Sequence, residues 1–268
     1  MVLFIDSFLF NGEELVKLRL EYFYAYVDYF YIVESIYTHS LKKKDAYFID
    51  VCASWFTPYM DKIRFVRIDS LFPNNNGTYI TQCFYEENNQ RKYIRNILLH
   101  DFVDQDFILA LCDMDEIYDL RTLESKTDLF TILQTHIVLF TMKMYYYNFE
   151  FLVNDNWENA YLISSTMLKK HEDLNYIRIY KLGDNTLRRI SGWHFSYFMK
   201  PAEIVRKLAS FCHSDVNQPP FNNVNYISFV ASHGIDILKR QDIHIKKIDF
   251  EDNFHKYPEL FRKYKNTI

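Results

Sequence analysis

Residues 107–117 read Phe-Ile-Leu-Ala-Leu-Cys-Asp-Met-Asp-Glu-Ile, an apolar run that leads directly into three carboxylates. A short, uninterrupted apolar run predicts a strand that is buried on both faces, as in a parallel sheet. Because residues two apart in an extended chain point the same way, Asp113 and Asp115 should converge on one point beyond this strand. Two like charges held together favour a cation between them, and hard oxygen ligands suit Mg²⁺ or Mn²⁺.

The Asp-x-Asp sequence also has an ordinary explanation. After a strand, such a sequence often only begins a turn or caps a helix. The buried strand in front of it favours the metal hypothesis, because open α/β sheets bind ligands beyond the carboxyl ends of their strands. We therefore expect Asp113 and Asp115 to hold a divalent cation that carries a substrate diphosphate.

The composition is that of a globular protein with a sizeable core, at 268 residues, 49% hydrophobic and 25% charged. The aromatic content of 18% is high, and we interpret it as the codon bias of an AT-rich genome, which points to a microbial or viral source. The net charge of −4 and the lack of a basic stripe give no support for nucleic-acid binding.

Cysteine spacing and hydropathy bear on the compartment. The sequence contains four widely spaced cysteines, Cys52, Cys83, Cys112 and Cys212. This spacing indicates neither a zinc site nor a disulfide framework and fits a reducing compartment. Residues 1–10 are apolar but lack basic residues and contain Asp6, so they predict a first strand and no signal peptide. No segment is long and apolar enough for a membrane span, and we expect a soluble, cytoplasmic protein.

Strand and helix patterns alternate through the first half of the chain. We predict strands at residues 1–10, 29–33, 63–68 and 107–111, and helices at about 13–26 and 79–102. This order is typical of βαβ units. The sequence therefore predicts an α/β fold with a mostly parallel central sheet and helices on both faces.

The alternation is weaker after Asp119. Residues 130–149 are apolar and aromatic, and they predict two strands that extend the sheet or line an acceptor cleft. Residues 145–147 are all tyrosine and could stack on a sugar, although core packing is the simpler interpretation. Residues 176–180 predict another short strand. No linker marks a boundary, so we expect one domain over residues 1–268, with a first half at about 1–118 and an elaborated second half at about 119–268.

A second informative stretch, residues 191–197, reads Ser-Gly-Trp-His-Phe-Ser-Tyr. Glycine permits a close backbone approach, and Trp193 offers a stacking ring beside the imidazole of His194, which can bind a metal. A helix is predicted to begin at Pro201, with Lys207 off its buried face. A lone histidine is usually structural, but paired with a distant Asp-x-Asp, His194 is a candidate third metal ligand.

Several motifs occur together in a recognisable order. They are Phe10-Asn11-Gly12-Glu13, residues 27–35, Gln90-Arg91, Asp113-Met114-Asp115-Glu116-Ile117, Gly192-Trp193-His194-Phe195-Ser196 with Lys207-Leu208, and Asn225-Tyr226-Ile227. Through these motifs, over roughly residues 8–240, the chain resembles glycosyltransferase family 17, the group of the β-1,4-mannosyl-glycoprotein 4-β-N-acetylglucosaminyltransferases. Tyr118 stands where the family usually has proline, and Tyr197 replaces a tryptophan.

The resemblance implies an inverting, metal-dependent transferase with a GT-A-like fold. It also implies that the half at about 1–118 binds the nucleotide sugar and that the half at about 119–268 is the acceptor side. The implied donor is a UDP-sugar, most plausibly UDP-GlcNAc, and the acceptor is a glycan, glycoprotein or glycolipid. Residues implied in donor binding are Asn11, Glu34, Arg91, Asp113, Trp193 and Lys207. Residues implied in binding Mn²⁺ or Mg²⁺ are Asp113, Asp115 and His194.

Inverting transfer also needs a general base for the acceptor hydroxyl. Glu116, beside the metal motif, and Asp215, after the predicted helix at Pro201, are both candidates. Glu116 has a second interpretation, in which it holds the loop through backbone N–H groups. The sequence does not choose between the two carboxylates.

Two other classes of protein remain as alternatives. An inactive carbohydrate-binding or structural relative would keep the fold and lose the metal ligands, whereas Asp113 and Asp115 are both present. A magnesium-dependent nucleotidyltransferase or phosphohydrolase would also use paired aspartates. Such enzymes usually have a glycine-rich phosphate loop or a third carboxylate, and with only 5 glycines the chain shows no such loop.

Overall fold

A computed structural model describes residues 1–72, 78–210 and 216–265. The strands are β1 (Leu3–Leu9), β2 (Tyr29–Ser35), β3 (Ile63–Ile68), β4 (Phe107–Leu111), β5 (Glu116–Ile117), β6 (Ile137–Tyr146), β7 (Phe151–Trp157), β8 (Tyr161–Ser164), β9 (Thr186–Ser196) and β10 (Lys246–Lys247). The α-helices are α1 (Val16–Phe23), α2 (Phe48–Val51), α3 (Ala53–Phe56), α4 (Tyr79–Asp101), α5 (Lys126–Leu133), α6 (Ser165–Lys170), α7 (Leu174–Tyr180), α8 (Pro201–Ser210), α9 (Val224–His233), α10 (Phe250–Asn253) and α11 (Phe261–Tyr264). Short 3-10 helices lie at Thr57–Tyr59, Leu120–Thr122, Gly183–Asn185 and Phe254–Lys256.

The strands form one mixed sheet in the order β10-β7-β6-β8-β4-β1-β2-β3, with β9 beside β6 and β5 beside β9. Strand β1 is parallel to β2 and β4, and β2 is parallel to β3. Beyond β4, strand β8 is antiparallel to both β4 and β6, and β7 is antiparallel to β6. The predicted α/β class is confirmed, but the sheet is mixed instead of mostly parallel: in its second half β6 is parallel to β9, whereas β7 and β8 are antiparallel to their neighbours. The short connections from β6 to β7 and from β7 to β8 cannot make the crossovers that parallel pairing requires.

Strand β4 lies at the centre of this sheet, and each of its five residues is buried. Ile108 and Ala110 join a core cluster on one face of the sheet. Leu109 and Leu111 join a second cluster on the other face. The prediction of a strand buried on both faces is confirmed, and the double burial explains why the segment has no polar alternation.

Helices cover both faces of the parallel strands, as predicted. On the first face, α1, α3 and α5 contribute Leu18, Phe56 and Leu129 to the core. On the second face, α4, α6 and α7 pack through side chains such as Leu98 and Ile177. A third cluster packs α8 and α9 against the end of β6, and this places α8 beside the carboxyl ends of the strands.

The sequence patterns misjudged two segments of the second half. Residues 130–149 were expected to form two strands, but α5 extends to Leu133 and only β6 follows before residue 149. Residues 176–180 form the end of helix α7 instead of a strand. Asp173 caps this helix by accepting hydrogen bonds from the backbone N–H groups of Asn175 and Tyr176. Such a cap satisfies N–H groups that a helix otherwise leaves unpaired, and it favours the helical state.

Across the described ranges, none of the helices combines the length and the apolar composition that crossing a bilayer requires.

Gly192 permits the close approach of β9 to β5. Its φ is +98°, and a Cβ at this position would lie 2.5 Å from the carbonyl oxygen of Ile117. We expect Gly192→Ala to lower the free energy of unfolding by about 3 kcal/mol, through a strained backbone and a clash with main-chain atoms. Chemical denaturation measures this loss.

Gly183→Ala is the matched control for that prediction. Gly183 also has a positive φ, +57°, but nothing lies within 4 Å of the added Cβ. The control should therefore lose only the backbone contribution, about 1 kcal/mol. Equal losses in the two variants would show that the approach of β9 to β5 is not the cause.

Candidate active site

The carboxyl ends of β1, β2 and β4 border a cavity of about 490 Å³. Between β1 and β4 the strand order reverses, because β2 and β3 extend from β1 in one direction and β4 lies in the other. Such a reversal opens a crevice that binds ligands in α/β sheets. Six of the residues named from the sequence line the cavity, namely Asn11, Arg91, Asp113, Asp115, His194 and Lys207.

A buried arginine holds the loop that follows β4. Arg19 of α1 is fully buried and forms two hydrogen bonds with Asp6, at 2.7 and 2.6 Å. Its Nη1 also donates to the carbonyl oxygens of Asp113, Met114 and Glu116, at 3.0, 3.2 and 2.7 Å. Burial opposes the charge of Arg19, but Asp6 outweighs burial and raises the arginine pKa. A permanent cation therefore fixes the backbone of the loop.

Asp113 lies between two arginines. Its Oδ1 accepts from Nη2 of Arg91 at 2.8 Å, and its Oδ2 accepts from Arg178. Burial would raise the pKa of Asp113, but Arg178 and Arg91 together lower it. Arg91 also pairs with Glu87 at 2.7 Å on helix α4. Asp113 is therefore an ionised carboxylate within a network of arginines on the α4 and α7 side of the cavity.

Asp115 faces a different pair of groups. Its Oδ2 lies 3.1 Å from Nζ of Lys207 on α8, and its Oδ1 lies 3.5 Å from Nε2 of His194 on β9. Burial would raise the pKa of Asp115, but Lys207 and His194 hold it well below the usual range. The same contact raises the pKa of Lys207 despite its burial, so both groups are charged.

The two aspartates have different partners, because Asp113 pairs with arginines of α4 and α7, whereas Asp115 pairs with Lys207 of α8 and faces His194 of β9. The segment turns here, with the N–H of Glu116 donating to the carbonyl of Asp113 at 3.0 Å, so it is not an extended strand. Within the described ranges, no three side chains of His, Cys, Asp or Glu are grouped closely enough to hold a metal ion. All four carboxylate oxygens of the pair instead have cationic or imidazole partners.

Glu116 is fully buried in the loop and does not line the cavity. Its Oε2 accepts from the N–H of Asp113 at 2.6 Å, and its Oε1 accepts from Nε1 of Trp157 at 2.6 Å. Oε1 is also 3.4 Å from Arg178. These contacts match the second interpretation of Glu116, in which it holds the loop in place. The other carboxylate considered for the general base, Asp215, lies outside the described residues.

Two further residues named from the sequence point away from the cavity. Glu34 accepts from Lys44 and from the N–H groups of Phe48 and Ile49, at 2.7 and 2.8 Å, which leaves its side chain fully covered. Trp193 packs in the core against Phe261, with ring centroids 5.0 Å apart. Neighbouring residues of a strand face opposite sides, so β9 directs His194 to the cavity and Trp193 to the core.

Two residues at the site were not singled out from the sequence. Glu13, directly after β1, lines the cavity, and one of its oxygens accepts from the N–H of Asn11 at 2.9 Å. Burial raises the pKa of Glu13, and Lys207 partly offsets that rise. Arg178 was missed because its segment was taken for a strand. Two signals in the sequence could have identified these residues. Glu13 belongs to the first motif, and Asp173 caps the helix that carries Arg178.

His194 carries an unsatisfied polar atom. Its ring packs against Trp157, with centroids 4.4 Å apart, and the residue is 6% exposed. Nε2 faces Asp115, while the buried Nδ1 has no hydrogen-bond partner among the described residues. Buried polar atoms are normally paired, so this nitrogen is an exception that the contacts of the described residues do not explain.

Comparison with known families agrees with the motifs and with the cavity. The model of glycosyltransferase family 17 matches residues 3–265, which is nearly the whole chain. The comparison with curated proteins gives no match. Because the family match extends through β1, the loop after β4, β9 and α8, it covers each segment of the cavity described above. The chain therefore belongs to glycosyltransferase family 17 and is a glycosyltransferase that acts on a sugar donor and a glycan acceptor.

Proposed function

We propose that the protein transfers a sugar from a nucleotide diphosphate sugar, with UDP-GlcNAc as the first donor to test, to a hydroxyl group of a glycan or glycoconjugate, with inversion at the anomeric carbon. The supporting observation is the cavity at the ends of β1 and β4, where Arg91 and Lys207 flank the aspartates of the loop. A departing diphosphate gains negative charge, and fixed cations stabilise such charge effectively in a buried site. The parallel first half of the sheet is compatible with a GT-A-like arrangement.

The proposal includes Mn²⁺ or Mg²⁺. Asp113, Asp115 and His194 would hold the cation after a rearrangement of their side chains, because they do not form a metal-binding group as they stand. Carboxylate oxygens are ligands that suit Mg²⁺ and Mn²⁺. When bound, the metal would act as a Lewis acid on the diphosphate. Since Asp113 and Asp115 are ion-paired, metal binding requires Arg91 and Lys207 to exchange a carboxylate for a phosphate oxygen.

That exchange preserves the charge balance of the cavity. A divalent cation and a nucleotide diphosphate enter with opposite charges that nearly cancel. The carboxylates then keep a cationic partner, and Arg91 and Lys207 keep an anionic one. Arg91 suits this role because its planar group can bind two phosphate oxygens at once, whereas Lys207 provides a point charge.

For the general base, the contacts of Glu116 favour Asp215. Both oxygens of Glu116 already accept hydrogen bonds, one from the N–H of Asp113 and the other from Trp157 of β7, so Glu116 would have to break these contacts to reach an acceptor. We further propose a cytoplasmic location, since Cys52 and Cys112 are free thiols and free thiols are typical of reducing compartments.

A titration with UDP- and GDP-sugars, with and without Mn²⁺, tests this function. Thermal shift reports binding, and release of free nucleotide reports turnover. We expect one UDP-sugar to raise the melting temperature in the presence of Mn²⁺ and to release UDP when an acceptor is added. Folded protein that no nucleotide sugar stabilises would contradict the proposal and favour an inactive sugar-binding relative. Release of pyrophosphate or inorganic phosphate would instead indicate a nucleotidyltransferase or a phosphohydrolase.

A further inference from the structure

The cavity extends beyond Asp115 to a wall that no step of donor binding uses. We call it the distal wall; its residues are Tyr146 at the end of β6, Tyr197 directly after β9, and Leu238 and Arg240 after α9. In the sheet, β6 lies on the far side of β4 from β1 and β2. The distal wall is therefore at the end of the cavity opposite Ser35 and Tyr37, which follow β2 and also line the cavity.

Arg240 is fixed in the distal wall by two partners. Its Nε and Nη2 donate to the two oxygens of Asp236, at 3.1 and 2.7 Å, and Asp236 is 5% exposed. Nη2 also donates to the hydroxyl of Tyr146 at 2.8 Å. Paired contacts of this kind fix the plane of a guanidinium group. Nη1 donates no hydrogen bond within the described part of the chain, so it is a positioned donor.

Tyr197, in the distal wall, has an unusual backbone conformation. Its φ is +60°, in the left-handed region that bulky residues rarely adopt. Such strain persists where the surroundings enforce it, and it clusters at ligand sites. The ring is partly exposed and contacts Tyr146 edge to face, with centroids 5.2 Å apart. Burial raises the pKa of Tyr197 to about 12, so its hydroxyl is neutral and can both donate and accept.

The charges along this wall are compensated. Asp236 neutralises Arg240, and Lys207 is paired with Asp115. What the wall offers is aromatic and aliphatic surface together with hydroxyl and guanidinium hydrogen bonds. This chemistry matches a neutral pyranose, whose C–H face packs on aromatic rings while its hydroxyls bond to fixed polar groups. An anionic sugar would find no uncompensated cation here.

From this geometry we infer that the distal wall is the acceptor subsite and that it binds a neutral sugar residue. The inference rests on the proposed transferase function, because a transferase needs an acceptor site beside its donor site. Donor binding belongs to the Asp113 and Asp115 region, so substitutions in the distal wall should separate the two substrates.

Saturation-transfer NMR with simple glycosides tests the assignment. The probes are methyl glycosides of mannose, galactose and N-acetylglucosamine, with methyl glucuronide as the anionic comparison, each in the presence of UDP and Mn²⁺. We expect at least one neutral glycoside to bind the wild type, and Tyr197→Ala to bind it about tenfold more weakly. Tyr197→Phe, which keeps the ring, should lose less affinity. Tyr146→Phe, which removes one of the two partners of Arg240, should also bind the glycoside more weakly than the wild type.

Tyr180→Ala is the matched control, because Tyr180 is 67% exposed on α7 and does not line the cavity. It should bind glycosides as the wild type does. Tyr180→Ala, Tyr146→Phe and Tyr197→Phe should bind UDP as the wild type does, the last because it keeps the ring that lies 5.8 Å from Nζ of Lys207. Three results would overturn the assignment: no neutral glycoside bound by a wild type that binds UDP, equal glycoside binding by Tyr197→Ala and wild type, or preference for the glucuronide. A wild type that binds no nucleotide at all would overturn the transferase proposal itself, and the subsite with it.

Discussion

Asp115→Asn is expected to lower nucleotide-sugar turnover by about 100- to 1,000-fold, the loss typical when one fixed electrostatic contact at a reacting group is removed. The amide keeps the shape of the side chain but loses the charge that pairs with Lys207 and faces His194. Lys207 would then be an uncompensated cation, and a divalent metal would lose one carboxylate. Release of UDP from the donor, measured with saturating acceptor, reports the effect.

The matched control for this substitution is Asp184→Asn. Asp184 is exposed in a short 3-10 helix, so its amide variant should turn over at the rate of the wild type. Mn²⁺ titration by thermal shift adds a readout that does not depend on turnover, since Asp115→Asn should weaken the stabilisation by Mn²⁺. Wild-type turnover by Asp115→Asn would contradict any role of this carboxylate in the reaction.

Arg19→Met is expected to lower the free energy of unfolding by about 4 kcal/mol, because it leaves a buried carboxylate without its partner. Asp6 and Arg19 are both completely buried, and Arg19 also donates to the loop that carries Asp113. The substitution therefore removes the charge partner of Asp6 and a hydrogen-bond donor of the loop together. Urea denaturation at neutral pH gives the free energy.

The double variant Asp6→Leu, Arg19→Met separates these two effects. Replacing both members of a buried ion pair by apolar residues is often nearly neutral, so the double variant should regain most of the lost stability. The turnover of both variants should be lower than that of the wild type, because the carbonyl groups of Asp113, Met114 and Glu116 lack their donor in both. A double variant as unstable as Arg19→Met would show that the carbonyl contacts, and not the charge of Asp6, dominate.

Secondary structure was predictable where the signal is local. Strands β1 to β4 and helix α4 are short apolar runs or a long periodic segment, and these patterns depend only on neighbouring residues. Helix α7 was not predictable from its local pattern. Its apolar residues fit a buried strand as well as a helix, namely Tyr176, Ile177, Ile179 and Tyr180. The cap at Asp173, three residues before the first of them, carries the information that decides for the helix.

Several residues that line the cavity could be named from the sequence. Arg91, Asp113, Asp115, His194 and Lys207 were named from motifs, and they line one cavity. Their pairing was not predictable, since a motif does not say which cation faces which carboxylate. Trp193 shows the same limit, because adjacent residues of a motif separate to opposite faces once the segment is a strand.

By itself, the sequence determined that a buried strand ends at Leu111 and places Asp113 and Asp115 just beyond it, because burial and chain direction are local properties of that stretch. The tertiary structure decided what surrounds those carboxylates. Arg178 is 65 residues from Asp113, Lys207 is 92 residues from Asp115, and Arg19 is 94 residues from the carbonyl that it holds. Only the packing of α1, α7 and α8 against the sheet brings these cations to the loop, because ion pairs form wherever the fold places opposite charges in a shared, water-poor space.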